Sequence, residues 1–198
     1  MSNPIHDTRP THCVKGKKWV SHPTILKHLR SDFKGRCAYC GDLDTILDST
    51  YQVDHFAPKE KFKEREFIYE NLMYSCPSCN RAKSAYWVSD DADVNVIEDE
   101  GLVNPCSTSY NDHLCREDSG AIGFKTRLGK FMYMKLKLYL RRHHLVYKIE
   151  KLNARIDELE RRGQGGEIVS LYRAVRHYYQ LGALIKNSHG RIIVGSKI

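Results

Sequence analysis

The chain has 198 residues and 23.0 kDa, is 41% hydrophobic and 28% charged, and carries a formal net charge of +8. That apolar content suffices for one substantial core, or a smaller core with a long appendage, and excludes disorder throughout. The nearest approach to a membrane span, Phe131 to Leu140, is interrupted by Lys135 and Lys137, and the first ten residues hold no apolar stretch of the signal-peptide kind, so a cytoplasmic protein with no membrane partner is expected.

In chain order, residues 1–35 form a leader. Pro23 followed by Ile25, Leu26 and Leu29 at helical spacing predicts a short helix within Trp19 to Phe33, with Gly35 as the C′ residue that stops it. Residues 36–88 are a second region. Cys37 to Gly41 is a compact turn, Thr50 to Phe56 has the composition of a strand, and the charged residues 59–66 are a loop. Asn71 to Ser75 can form a second strand, and Pro77 to Tyr86 has the early proline of a helix. Residues 89–126, rich in Asp, Asn, Ser, Gly and Pro, are expected to be an irregular, mostly extended surface connection.

Residues 127–198 change character. Phe131, Leu138, Leu145, Leu152 and Leu159 recur every seven positions, with Ile149 and Ile156 between them, which predicts one long amphipathic helix. The Gly163-Gln164-Gly165-Gly166 run breaks it, and Ile168, Leu171, Tyr172, Val175, Tyr179 and Leu181 resume the pattern, so a helical hairpin follows. This region holds 16 Lys and Arg against 5 Asp and Glu, a surplus of +11, whereas residues 1–126 carry −3. Such a field attracts a polyanion, and the same charges also suit the solvated face of long helices. The clusters Arg141, Arg142, His143, His144 and Arg161, Arg162 are the candidates for DNA contact.

Cys37-Ala38-Tyr39-Cys40 and Cys76-Pro77-Ser78-Cys79 are two C-x-x-C pairs, a spacing that brings both sulfurs of a pair to one tetrahedral ion. Four thiolates fill that shell, so the ion would be structural Zn²⁺. Two redox pairs or buried free thiols are the alternatives; a redox pair normally stands alone in a βαβ pattern, which is missing here. Cys13, Cys106 and Cys115 are left over, and Cys106, His113 and Cys115 match no familiar ligand spacing.

Within the 35-residue spacer lie Val53-Asp54-His55-Phe56-Ala57-Pro58 and Asn71-Leu72, and Cys79 opens Asn80-Arg81-Ala82-Lys83. The joint order C-x-x-C, D-H-x-x-P, N-L, C-x-x-C-N-x-x-K resembles the HNH endonucleases across residues 36–84. The resemblance implies an α+β fold: a ββα-metal finger with a Cys₄ zinc site, here flanked by an N-terminal helix and a C-terminal helical hairpin. It also implies hydrolysis of DNA phosphodiester bonds. His55, with a reference pKa of ~6.5, suits a general base. Asp54 and Asn80 offer hard oxygen ligands for a catalytic Mg²⁺ or Mn²⁺. In an extended strand Asp54 and His55 leave on opposite faces, so a shared site needs a local distortion, which the resemblance implies. The resemblance makes Asn71 the residue that holds the loop orienting the histidine. Arg81 and Lys83, beyond Asn80 on the same helix, are candidates for contacting phosphates.

The whole layout is similar, more loosely, to the HNH nuclease effectors of Septu-type antiphage systems. That likeness implies an ATPase partner protein, with the C-terminal hairpin as the candidate docking element. The competing expectation is a non-catalytic, zinc-dependent subunit that binds nucleic acid or a partner.

Overall fold

The computed structural model describes residues 3–13, 22–46 and 50–187. The chain divides into two compact units, Met1–Tyr139 and Leu140–Ile198. The first is a mixture of short helices and two-stranded sheets; the second is helical.

Helix α1 (His22–Asp32) stands where the leader helix is expected, and the earlier part of that expectation, up to Ser21, lies outside the described residues. Ile25 and Leu29, one turn apart, are fully buried. The helix ends in a double bond pattern, Gly35 N–H to Arg30 O at 2.8 Å and Lys34 N–H to Ser31 O at 3.0 Å. This Schellman arrangement puts Lys34, not Gly35, at C′, with φ of 53°.

The next elements are β1 (Gln52–His55), β2 (Leu72–Ser75) and α2 (Pro77–Lys83). The strands pair antiparallel, with Asp54 opposite Met73 and His55 opposite Leu72. β2 is buried along its whole length, as its apolar and aromatic composition requires. α2 is shorter than the sequence suggests. It stops at Lys83 because Ser84 turns to φ of 52°. The charged loop between the strands contains short 3₁₀ turns at Lys63–Arg65 and Tyr69–Asn71.

Residues 89–126 correct the expectation of an extended surface connection. They form a hairpin of β3 (Val96–Ile97) and β4 (Glu100–Gly101), a single turn α3 (Tyr110–His113), and a hairpin of β5 (Leu114–Arg116) and β6 (Ile122–Phe124). Leu102, Tyr110, Leu114 and Ile122 belong to the same core as α1 and β2. Strands of two or three residues carry too little periodicity to be read from sequence, and side chains such as Ser89 and Asn95 add bonds to the backbone at Val94 O and Leu102 O.

α4 (Arg127–Lys135) starts on Thr126, whose hydroxyl accepts the Gly129 N–H at 2.9 Å. A Cβ on Gly129 would stand 2.0 Å from His113 O, so only glycine allows this approach. The long helix expected from the seven-residue repeat is interrupted. Leu138 N–H bonds Tyr133 O at 2.9 Å, Lys137 N–H bonds Met134 O at 3.2 Å, and Lys137 has φ of 54°. Leu136 and Leu138 are both buried, and two residues apart they could not face one side of a continuous helix. α4 therefore belongs to the first unit, and the boundary falls after Tyr139 rather than before Arg127.

In the second unit α5 (Arg141–Arg161) and α6 (Ile168–Asn187) are joined by a turn containing a 3₁₀ segment at Gly165–Glu167, as the glycine run predicts. The seam includes buried Ile156, Leu159 and Val175. Among the described residues no helix is long and apolar enough to cross a membrane.

Candidate functional site

Cys37, Cys40, Cys76 and Cys79 are fully buried, and their four sulfurs lie within 4.8 Å of one another. Cys40 Sγ and Cys76 Sγ are 3.9 Å apart, close to the about 3.8 Å edge of a tetrahedron built on Zn–S bonds of about 2.3 Å. Backbone donors point at the sulfurs: Cys76 N–H to Cys37 Sγ and Cys79 N–H to Cys76 Sγ, both at 3.4 Å. The second bond also caps α2. Burial pushes the Cys40 thiol well up, and hydrogen bonding to Cys37 does the same for Cys79. Burial acts on Cys37 too, but donors from Cys40, Cys76 and Cys79 outweigh it and hold Cys37 well below the usual thiol range. Four convergent sulfurs with amide donors fit Zn²⁺.

Distant parts of the first unit hold the first C-x-x-C turn through its carbonyls. His6 Nε2 donates to Ala38 O at 2.7 Å, Tyr110 hydroxyl to Tyr39 O at 2.7 Å, and Arg116 Nη2 to Cys40 O at 2.5 Å. Arg116 is buried with Asp42, its guanidinium 3.2 Å from the carboxylate. Gly41, at φ of 71°, closes the turn where a Cβ would stand 2.5 Å from Ile5 O. The residues that fix the knuckle thus come largely from the leader and from residues 89–126.

α2 lies along β1 so that two polar pairs form in step. Asn80 Nδ2 donates to Gln52 Oε1 at 2.9 Å, and Lys83 Nζ lies 3.2 Å from Asp54 Oδ1. Three helical residues advance about 4.5 Å and two strand residues about 6.6 Å, near enough for long side chains to match both pairs. Gln52 and Asp54 therefore share the helix-facing side of β1, and strand alternation gives His55 to the other side.

Asp54 is 6% exposed and Lys83 not at all. The Tyr39 hydroxyl donates to Asp54 Oδ2, and the Lys83 ammonium also donates to His55 O at 2.6 Å. Burial raises the Asp54 carboxyl above its ordinary range, against the opposing pull of Lys83 and Tyr39. Burial, with Asp54 second, pushes the Tyr39 phenol well up, so it stays a donor. This corrects two expectations. Lys83 is an internal counter-ion, not a surface contact for phosphate, because its ammonium is enclosed by acceptors. Asp54 is not presented as an open oxygen ligand: each of its oxygens already bears a donor, one of them an ammonium that neutralises it. As arranged here, Asp54 and Asn80 do not fit a divalent ion together. Arg81, by contrast, is exposed on α2.

His55 is 9% exposed, and its Nε2 lies 3.0 Å from Glu66 O. A carbonyl only accepts, so Nε2 carries a proton; in the neutral form of the ring that leaves the lone pair on Nδ1. Asn71 grips the intervening loop. Its Oδ1 accepts Ala57 N–H at 2.8 Å, and its Nδ2 donates to Ala57 O at 2.9 Å and Arg65 O at 3.2 Å. Every polar atom of that amide is spent on backbone.

Tyr39, Gln52 and Glu66 are site residues that sequence reasoning missed. The i, i+3 spacing of Asn80 and Lys83 puts both on one helix face, a signal that Lys83 follows Asn80 inward. Of the leftover cysteines, Cys106 Sγ lies 3.8 Å from His12 Nδ1, its thiol pushed up to about 12 by burial, and Cys115 is buried in β5.

Residues 37–85 match the family model described as HNH endonuclease. Septu protein PtuB of Bacillus mycoides (strain KBAB4) is 26% identical over 123 residues, covering 52% of this chain and 41% of that protein. Septu protein PtuA of the same strain is 25% identical over 140 residues, covering 58% of this chain and 19% of that protein. The chain thus spans less than half the length of the curated relatives it matches. No solved structure matches it.

Proposed function

We propose, from the HNH domain at 37–85 and the likeness to Septu proteins, that the chain is an HNH endonuclease cutting DNA as an effector of antiphage defence. The observation that carries this reading is the β–β–α unit closed by four sulfurs, on which His55 Nε2 lies 3.0 Å from the Glu66 carbonyl. β1, β2 and α2 then form a ββα-metal finger whose zinc is structural. His55 Nδ1 takes a proton from the attacking water, and a neutral imidazole can do so near pH 7. Asn71 supports that geometry through the backbone it binds. Arg81 meets phosphates beside the cut. The catalytic ion, Mg²⁺ or Mn²⁺ expected on Asp54 and Asn80, is the part the present arrangement supports least, because Lys83 holds the carboxylate. The hairpin of the second unit is the element offered to a partner protein, an ATPase if the Septu likeness extends to the whole assembly.

The test is plasmid cleavage with Mg²⁺ or Mn²⁺ by the parent beside His55→Ala. Nicking by the parent and loss in the variant, with DNA binding retained, is expected; equal cleavage by both removes His55 from the chemistry. The enclosed Asp54 favours one second reading, a zinc-stapled subunit that binds without cutting. It predicts binding by both proteins and cleavage by neither, even with a partner present.

A further inference from the structure

Resting on the reading of His55 as the base, we propose that Glu66 is a positioning residue for it, with Lys59 and Lys63 as its anchors. The Glu66 carbonyl that receives the His55 ring N–H belongs to a peptide held on several sides. Asn71 Nδ2 binds the preceding carbonyl, Arg65 O, at 3.2 Å. The Arg65 guanidinium reaches both oxygens of Asp93 at 2.9 Å. Glu66 itself donates its N–H to Lys63 O at 3.2 Å. Its carboxylate meets Lys59 Nζ at 3.2 Å and Lys63 Nζ at 2.5 Å. Those two ammonium groups hold the Glu66 carboxyl below the usual carboxylate range.

Lys63 and Lys59 are 80% and 36% exposed, so the two ion pairs add little to global stability. Their effect is local. The carboxylate ties the start of the 59–66 loop to its end, and the carbonyl at that end sets which ring nitrogen of His55 bears the proton. A carbonyl displaced by about 1 Å no longer accepts a hydrogen bond that is 3.0 Å long, and the ring loses the acceptor that selects its Nε2–H form. The His55 backbone is anchored separately by Lys83 Nζ on His55 O, so loss of the Glu66 anchor acts on the ring and not on the strand.

The experiment uses the full zinc-loaded chain. Nitrogen-15 NMR of the histidine rings reports the tautomer of His55, assigned by its loss in His55→Ala, whether or not the protein cuts DNA. The parent is expected to show the Nε2–H form alone; Glu66→Ala is expected to show mixed or exchange-broadened ring signals with its melting temperature little changed. Cleavage by Glu66→Ala should fall roughly ten- to a hundredfold in kcat with KM for DNA unchanged, the size a 1 Å misplacement produces. Glu66→Gln, which keeps an acceptor for both lysines, should lie between the two, and it replaces Glu66→Ala if that variant does not fold. A single Nε2–H tautomer retained in both variants overturns the proposal, as does a fall in kcat with that tautomer intact. A parent that cuts nothing even with a partner present sinks the nuclease reading, while the ring signals still decide what Glu66 does for His55.

Discussion

The two units spend their polar residues differently. In the first, charge is buried: Lys83 with Asp54, Arg116 with Asp42, and four sulfurs at one point. In the second, the seam is apolar and charges pair outside, as Arg162 with Glu158 at 2.6 Å and Arg155 with Glu158 at 2.9 Å. Buried polar groups have few acceptable arrangements, because each must find its partner or suffer the desolvation penalty, so they fix the first unit's geometry residue by residue. A hairpin seam accepts many apolar sets of similar volume. Precision sits where chemistry would need it.

The largest expected break in that contrast is removal of zinc. Structural zinc contributes an apparent ~10–16 kcal/mol in small modules, more than a domain's net stability. A strong chelator should abolish the near-ultraviolet aromatic signal of the first unit, where Trp87, Tyr39 and Tyr69 are buried, while helical signal from α5 and α6 persists. Simultaneous loss of both signals would mean that the units fold as one. Because thiols at Cys40 and Cys79 are pushed up, four thiolates form only by releasing protons, and zinc affinity should fall steeply with falling pH, read by competition with a metallochromic chelator.

Next in size is the internal ion pair. Lys83→Met leaves Asp54 buried beside Tyr39 alone and should cost about 3–5 kcal/mol in chemical denaturation. The double variant Asp54→Asn, Lys83→Met should recover most of that loss, since no unpaired charge remains. The same proteins decide the role of Asp54 through Mn²⁺ titration. If the carboxylate is only a counter-ion, the double variant binds Mn²⁺ as the parent does.

Why some of this was legible and some was not follows from the residues. The thiol pairs, Asn71, His55 and the strand–strand–helix order are local in sequence, so spacing and turn chemistry carry them. Lys83 looks like any helix lysine until β1 lies beside it. Residues 89–126 pack through two- and three-residue strands and through long-range bonds such as Tyr110 to Tyr39 O, which leave no period behind. The seven-residue repeat across 131–159 is real as a pattern, yet Leu136 and Leu138 both seek the core, and the helix gives way at Lys137.

A smaller effect is expected from pH on the first unit. Burial lowers the pKa of His6, opposed by its bond to Ala38 O, so the fold favours the neutral ring. The unfolded chain then binds more protons as pH falls below about 6.5, and stability declines from there down to the folded pKa, with no contribution above pH 7. Denaturation midpoints at pH 7.5 and 5.5 should differ for the parent and differ less for His6→Gln. Because His6 also holds the first C-x-x-C turn, both proteins are compared with zinc content measured at each pH, so that the difference at equal zinc isolates His6. An identical decline in the two would assign the whole effect to the thiolates.

The smallest stability change belongs to the second unit. Arg141 is exposed, whereas His143 is 1% exposed, so the cluster at 141–144 is not a continuous basic face. Arg155 and Arg162 already share Glu158, and Arg161 Nε donates to Asp157 O at 3.1 Å. Replacing Arg141, Arg155, Arg161 and Arg162 together by Gln should move stability by about 1 kcal/mol or less, since exposed ion pairs contribute little. DNA affinity is the sharper readout, because every phosphate that the protein no longer neutralises reduces the slope of log K against log salt by about 0.9 on duplex. A slope lowered by two or more would make the hairpin a DNA-binding element despite its internal pairing. An unchanged slope would leave DNA binding to the first unit and reserve the hairpin for a protein partner.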